Sequence, residues 1–134
     1  MIFVDTGAWF AAFVPGDPDH LSARAWLTQN SELLITTDYI FDELLTLLLA
    51  RNESQRAMRV GEALLHEGIA QLEWVRSEDV EQAFLTFRHY QDKGWSFTDC
   101  VSRTVMQRLR VTTAFAFDTH FRQFGGVSVV PTVS

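Results

Sequence analysis

The chain has 134 residues, of which 47% are hydrophobic and 21% are charged, and its formal net charge at pH 7 is −6. This length suits one domain with one packed core, and the composition is that of a globular protein rather than a disordered or fibrous one. No uncharged apolar stretch reaches about 18 residues, which excludes a transmembrane helix. We therefore expect one cytoplasmic domain that spans residues 1–134 and has no contact with a membrane.

Short apolar runs alternate along the chain with longer segments of helical period. The runs typical of buried strands are, in order, Ile2–Val4, Leu33–Thr36, Ala70–Val75, Thr113–Phe117 and Val127–Val130. The segments of helical period are Thr6–Val14, Asp19–Asn30, Asp38 to about Arg51, Glu53–Glu67, Ser77–Lys93 and Ser96–Leu109, with a short helix or turn at Thr119–Phe124. Apolar strands separated by helices predict an α/β fold with a parallel sheet that is covered on both faces and has right-handed crossovers.

Four acidic residues stand at the ends of these strands or inside these helices. Asp5 and Asp118 follow predicted strands, which places them at the carboxyl edge where open parallel sheets gather ligands. Glu43 lies inside an almost wholly apolar helix, and Asp99 lies in the first turn of another helix, three residues after Ser96. If those helices begin at the same edge of the sheet, all four carboxylates converge.

Carboxylates in apolar surroundings need a positive partner, because a buried ionised carboxylate costs several kcal/mol unless it is paired, hydrogen-bonded or bound to a cation. The chain offers a single lysine, Lys93. The four acids therefore indicate a pocket that binds a hard divalent cation through oxygen ligands. Arginines that follow Glu43 and Asp99 could flank this pocket and hold a phosphate backbone, although a solvated helix face is the more ordinary explanation for any single arginine.

Each acid also has a purely structural explanation. Asp5 and Asp118 could be the N-caps of the helices that follow them, and Asp99 could complete a capping box that begins at Ser96. Capping explains each of these three when it is considered alone. A buried Glu43 in the middle of a helix has no use as a cap, so the set as a whole favours the metal site.

Four motifs occur in order along the chain: IFVDTGAW at residues 2–9, TTDYIFDELLTLL at 36–48, SFTDCVS at 96–102, and TAFAFDTHF at 113–121 followed by GGV at 125–127. Together they resemble the PIN-domain family, and especially the bacterial VapC-like toxins, over essentially the whole chain. The resemblance implies a three-layer α/β/α sandwich with a central parallel sheet of about five strands. It also implies a ribonuclease that depends on Mg²⁺ or Mn²⁺.

The resemblance further implies which residues and partners take part. By position, it assigns both the catalytic and the metal-binding roles to Asp5, Glu43, Asp99 and Asp118, with supporting hydroxyl groups at Thr6 and Thr98. VapC-like proteins usually form homodimers and are encoded with an antitoxin that blocks the site. RNA, a second copy of the chain and a cognate antitoxin are therefore the implied partners.

Phosphodiester hydrolysis suits such a pocket, because a divalent cation activates water and stabilises charge at phosphorus. His120, near Asp118, could contact a phosphate or act as a general acid, although a solvated loop histidine is the more ordinary explanation. Three aromatic residues near the proposed pocket could stack on RNA bases or could serve as core: Trp9, Trp95 and Phe97.

Three other functions stay open at this stage. The first is a PIN-type nuclease that is not a toxin, because the toxin role depends on a neighbouring antitoxin. The second is phosphoryl transfer at an acidic pocket, although Asp5-Thr6-Gly7 lacks the second aspartate of a DxD phosphatase motif. The third is a non-catalytic module whose acids act only as helix caps.

Overall fold

The computed structural model describes residues 1–132, so Val133 and Ser134, which the single-domain prediction includes, lie outside the described residues. The strands are β1 (Ile2–Val4), β2 (Leu34–Thr37), β3 (Gln71–Glu73), β4 (Thr113–Phe115) and β5 (Ser128–Val130). The α-helices are α1 (Thr6–Phe13), α2 (His20–Gln29), α3 (Asp38–Ala50), α4 (Ser54–His66), α5 (Ser77–His89) and α6 (Phe97–Leu109). Short 3₁₀ helices lie at Gln91–Lys93 and Thr119–Gln123.

The strands form one parallel five-stranded sheet in the order β3-β2-β1-β4-β5. The chain runs outward from β1 to β3 and then returns to β4 on the other side of β1. Because crossovers are right-handed, this reversal places α1 to α4 on one face of the sheet and α5 and α6 on the other. In agreement, α1 contacts α2 and α3, α3 contacts α4, and α5 packs mainly against α6. The predicted α/β/α sandwich with about five parallel strands is confirmed.

Local sequence explains the elements that lead to the site. All three residues of β1 are buried, as expected for an inner strand of a sheet that is covered on both faces. The Thr37 hydroxyl accepts a hydrogen bond from the Ile40 N–H at 3.2 Å and so caps α3 as predicted. Ser96 and Asp99 form the predicted capping box at the start of α6.

The helix predicted over Ser77–Lys93 is wrong at its C-terminal end. The α-helix stops at His89 and a 3₁₀ helix follows. Gly94 ends that 3₁₀ helix in the left-handed backbone region, with a φ of 68°. Tyr90, which ends α5, packs its ring against Trp95 with 4.8 Å between centroids. The observed strands β3, β4 and β5 are also shorter than predicted. Within residues 1–132, no helix is long and apolar enough to cross a membrane.

Candidate metal centre

The candidate site lies at the carboxyl edge of the sheet, between β1 and β4, where the winding of the chain reverses. Asp5 directly follows β1, and its backbone N–H donates to the carbonyl oxygen of Phe115 in β4 at 3.0 Å. Asp118 follows β4 and is the N-cap of the 3₁₀ helix at Thr119–Gln123. Both aspartates therefore lie at the same edge of two neighbouring strands.

An open pocket of about 430 Å³ occupies this position, and all four predicted acids line it. Thr6, His120 and Ser96 line it as well. Thr98, the second hydroxyl that the resemblance implies, is half-buried on α6 and is not among the lining residues. The structure thus brings together five of the six predicted site residues, and it adds His120.

Asp5 is the most deeply placed of the four acids, with only 6% of its surface exposed. It stands at the N-cap position of α1, but its side chain makes no capping hydrogen bond, so the capping explanation is wrong for this residue. Burial raises the pKa of Asp5 to about 8, and the negative charge of Asp99 adds to this effect. The Thr6 amide opposes the rise, whereas Glu43 and Asp118 add to it. A bound cation would reverse the balance in favour of the ionised carboxylate.

Asp99 and Asp118 do form the predicted caps. Asp99 is 7% exposed, and its Oδ2 accepts the Ser96 N–H at 2.9 Å. Asp118 Oδ1 accepts the His120 N–H at 2.9 Å, but the Asp118 side chain is 43% exposed, which contradicts the apolar surroundings that its sequence position suggests. Each carboxylate has a second oxygen that takes no part in these capping bonds. Capping and metal binding are therefore compatible at both residues.

Glu43 and Thr6 contact each other across the pocket. Glu43 is half-buried on α3, and its Oε1 accepts a hydrogen bond from the Thr6 hydroxyl at the start of α1. The side chain faces the pocket rather than bulk water, as its position among apolar residues predicts. This hydrogen bond fixes the orientation of a carboxylate that has no capping function.

His120 contacts two of the acids through its ring. Its Nδ1 lies 2.8 Å from Asp99 Oδ2 and 3.5 Å from Asp118 Oδ1, and the side chain is half-buried. Each of these three residues offers a potential ligand atom, and the three atoms lie within 4.8 Å of one another. The explanation of His120 as a solvated loop residue is wrong. A short polar motif near a strand end was the only signal for it in the sequence.

The donor set fits a hard divalent cation. The four acids supply carboxylate oxygens, the ligands that Mg²⁺ and Mn²⁺ prefer. Among the residues that line the pocket, neither lysine nor arginine occurs, so the chain leaves the charge of Asp5 without an internal partner. Of the arginines that follow Glu43 and Asp99, which could hold a phosphate backbone, Arg56 and Arg108 have structural contacts instead. Arg56 binds Glu53 and the Phe13 carbonyl, and Arg108 binds Asp79 and Glu73.

The aromatic residues near the pocket are mainly structural. Trp9 and Trp95 are buried in the core, and the Trp95 indole N–H donates to Gln123 Oε1 at 2.8 Å. Phe97 is half-buried and packs edge-on against Phe87 with 5.8 Å between centroids. Of the three aromatic residues considered for base stacking, Phe97 alone keeps part of its ring near the surface.

Comparison with known proteins agrees with the fold. Residues 2–127 match the sequence profile of the family described as "PIN domain". The 23S rRNA-specific endonuclease VapC20 of Mycobacterium tuberculosis is 31% identical over 131 residues, which cover 98% of this chain and 99% of that protein. The VapC ribonuclease of Archaeoglobus fulgidus is 27% identical over 88% of this chain and 77% of its own length.

Solved structures give the same result. The crystal structure of Mycobacterium tuberculosis VapC20, described as a Sarcin-Ricin loop cleaving toxin, matches with a TM-score of 0.88 and 28% identity over 93% of this chain and 95% of that one. A toxin–antitoxin complex from Klebsiella pneumoniae shares the fold, with a TM-score of 0.68 and 13% identity over 95% of each chain. On the strength of the profile match over nearly its full length, and of its similarity to VapC20, this chain belongs to the PIN-domain family.

Proposed function

We propose that this protein is a divalent-metal-dependent ribonuclease that hydrolyses RNA phosphodiester bonds and acts as the toxin of a type II toxin–antitoxin pair. One observation carries the proposal: in a PIN-domain chain, four acids from four separate segments line one pocket that no lysine or arginine of residues 1–132 lines. The substrate is RNA, and 23S rRNA is the first candidate because the relative VapC20 is named for that activity. The expected site of action is the cytoplasm, where this RNA is found.

Each residue of the site has its own role. Asp5 and Asp99 hold the cation from the buried end of the pocket, while Glu43 and Asp118 complete the ligand set and Thr6 orients Glu43. When bound, Mg²⁺ or Mn²⁺ supplies Lewis-acid stabilisation of the developing charge at phosphorus and lowers the pKa of the attacking water. Burial of Asp5 excludes bulk water from one side of this cluster and so strengthens its electrostatic interactions.

A non-catalytic module whose acids are only caps is the second candidate. The capping hydrogen bonds of Asp99 and Asp118 favour it. Asp5 opposes it, because burial of this carboxylate costs free energy and its side chain makes no capping bond that would offset the cost. A bound cation would offset it.

Protein partners are part of the proposal, and two exposed apolar surfaces support them. One is a groove between α3 and α4, lined by Leu49, Met58 and Leu65 among others. The other is on α5, where Phe84 and Leu85 are exposed. Monomeric proteins seldom expose extended apolar surface without a binding partner. We assign these surfaces to a second copy of the chain and to the antitoxin, and light scattering of the purified chain with and without the protein encoded beside it tests this.

The decisive experiment is cleavage of total RNA, with the cut sites mapped, by the wild type and by Asp99→Asn. We expect cleavage with Mg²⁺ or Mn²⁺, none with EDTA, and a loss of about 100-fold or more in the variant. Asparagine keeps an oxygen that can accept the Ser96 N–H, so the fold of α6 should survive. Asp92→Asn, at an exposed position in the neighbouring 3₁₀ helix, is the matched control and should cleave normally.

The outcomes separate the candidates. Wild-type protein that leaves RNA intact with both metals, or an Asp99→Asn variant that is fully active, would favour the cap-only module. Cleavage in vitro without growth arrest when the protein is expressed in cells would favour a PIN nuclease that is not a toxin.

A further inference from the structure

We infer that His120 is a positioning residue that orients Asp99 for metal binding, an inference that rests on the proposed metal-dependent function. The observation is a double contact with the acids of the pocket. The backbone N–H of His120 donates to Asp118 Oδ1 at 2.9 Å, and its ring Nδ1 lies 2.8 Å from Asp99 Oδ2. One residue thus joins the N-terminus of α6 to the 3₁₀ helix that follows β4.

The direction of the ring hydrogen bond follows from its partner. An ionised carboxylate can only accept, so Nδ1 carries the proton and donates it to Asp99. A nitrogen that donates in this way has no free lone pair for a metal ion. Nδ1 therefore acts on the site through Asp99, and only Nε2 keeps a lone pair.

The consequence for Asp99 is that its two oxygens become different. Oδ2 accepts the Ser96 N–H at 2.9 Å and the His120 Nδ1–H at 2.8 Å, which occupies both of its lone pairs. Oδ1 is then the oxygen available to a cation. Such outer hydrogen bonds fix the orientation of a ligand, and their removal typically weakens metal binding by about 10- to 100-fold.

The fold should not depend on this hydrogen bond. The same two segments are also joined by the Trp95 indole, which donates to Gln123 Oε1 and packs on Phe124 with 5.0 Å between centroids. Phe121, fully buried, packs on Phe124 as well. A change of the His120 ring therefore removes one contact to Asp99 and leaves the backbone hydrogen bond to Asp118 in place.

The test measures Mn²⁺ binding without RNA, by titration calorimetry, for the wild type, His120→Ala and His120→Asn. Asparagine places an amide N–H donor near the position of Nδ1, whereas alanine has none. We expect the dissociation constant to rise by about 10- to 100-fold in His120→Ala and to return to within about threefold of the wild type in His120→Asn. Gln123→Ala, which removes the neighbouring link between the same segments but touches no acid, should bind Mn²⁺ normally.

Each other result would overturn the inference in a recognisable way. Equal loss of Mn²⁺ affinity in His120→Ala and His120→Asn, with unchanged melting temperatures, would make His120 a metal ligand. Normal Mn²⁺ affinity in both variants with slow RNA cleavage would give it a role toward RNA. Loss of affinity in Gln123→Ala as well would make the effect a general one of structure. A wild type that binds no Mn²⁺ would overturn the metal-dependent function together with this inference.

Discussion

Two buried aspartates of this fold have opposite electrostatic surroundings. Asp79, in the first turn of α5, is 2% exposed and accepts two hydrogen bonds from Arg108, each 2.8 Å long. Burial acts to raise the pKa of Asp79, but the hydrogen bonds and charge of Arg108 outweigh it and hold the pKa below its usual value. Asp5 is nearly as buried, at 6% exposure, and its pKa is raised to about 8. The two side chains are similarly shielded from solvent, but Asp79 is paired with Arg108, whereas no lysine or arginine lines the pocket of Asp5.

Under the proposed function, this difference separates a structural cluster from a functional one. The cluster of Asp79, Glu73 and Arg108 holds β3, α5 and α6 together with a cation from the chain itself. The cluster around Asp5 has no such cation among the residues that line its pocket, and under the proposed function its counter-charge comes from solution. A buried acid without a partner is tolerated where binding supplies the partner.

The largest expected effect comes from making the structural cluster resemble the functional one. Arg108→Met removes the cation from Asp79 and Glu73 and should lower the free energy of unfolding by about 3 to 5 kcal/mol. Urea denaturation followed by circular dichroism measures it. Arg24→Met, at an exposed position on α2, is the control and should change the free energy by less than about 0.5 kcal/mol. A comparably small loss in Arg108→Met would remove the distinction between the clusters.

The second effect is on catalysis. The change that causes it should raise stability in the absence of metal, whereas Arg108→Met lowers stability. Asp5→Asn removes a metal ligand and should slow RNA cleavage by about 100-fold or more. In EDTA the same variant should melt at a higher temperature than the wild type, because it no longer buries a carboxylate near Asp99. Asp79→Asn should melt lower and cleave normally. Cleavage rates and melting curves of Asp5→Asn and Asp79→Asn test this prediction. A lower melting temperature for both variants would contradict the assignment of Asp5 to a functional cluster.

The third effect concerns pH in the absence of metal. The stability that Asp5 contributes is fully present below its unfolded-state pKa of 3.8 and is lost as the pH rises through about 8, because the folded state retains a proton that the unfolded state has released. The metal-free wild type should therefore lose stability from about pH 4 to pH 8 relative to Asp5→Asn.

Mn²⁺ or Mg²⁺ should restore that stability at pH 7.5. A cation at 100 times its dissociation constant adds about 2.7 kcal/mol, which corresponds to a rise of several degrees in melting temperature. Differential scanning fluorimetry with metal and with EDTA measures the rise. A melting temperature that EDTA does not change would count against a cation site at Asp5.

Much of this site could be predicted because its elements are local in sequence. Asp5 directly follows the apolar run of β1, and Asp118 lies three residues after Phe115, the last residue of β4. An acid just after an apolar strand lies at the carboxyl edge of a parallel sheet. The Ser96–Asp99 capping box is a four-residue pattern, and the structure confirms it. The burial of Asp5 follows from its place after an inner strand.

The rest depends on contacts between segments that are distant in sequence. His120 and Asp99 are separated by 21 positions, and Arg108 and Asp79 by 29, so no periodicity pairs them. Asp118 is exposed because β4 ends before it and the chain has already turned outward into the 3₁₀ helix. Side-chain partners of this kind are set by tertiary packing, which one sequence does not reveal.

The smallest expected effect separates the two predicted hydroxyl groups. Thr6→Val keeps the shape of the side chain and removes the donor to Glu43 Oε1, so the Glu43 carboxylate loses one fixed orientation. A hydrogen bond to a charged group contributes about 1.5 kcal/mol or more, which is about tenfold in the dissociation constant of Mn²⁺. Thr98→Val is the matched change on α6, and because Thr98 does not line the pocket we expect less than about a twofold effect there. Calorimetry of both variants with Mn²⁺ gives the comparison. Equal losses of Mn²⁺ affinity in the two variants would mean that Thr98 reaches the ligand set when metal binds. Unchanged affinity in both would mean that Glu43 needs no orientation by Thr6.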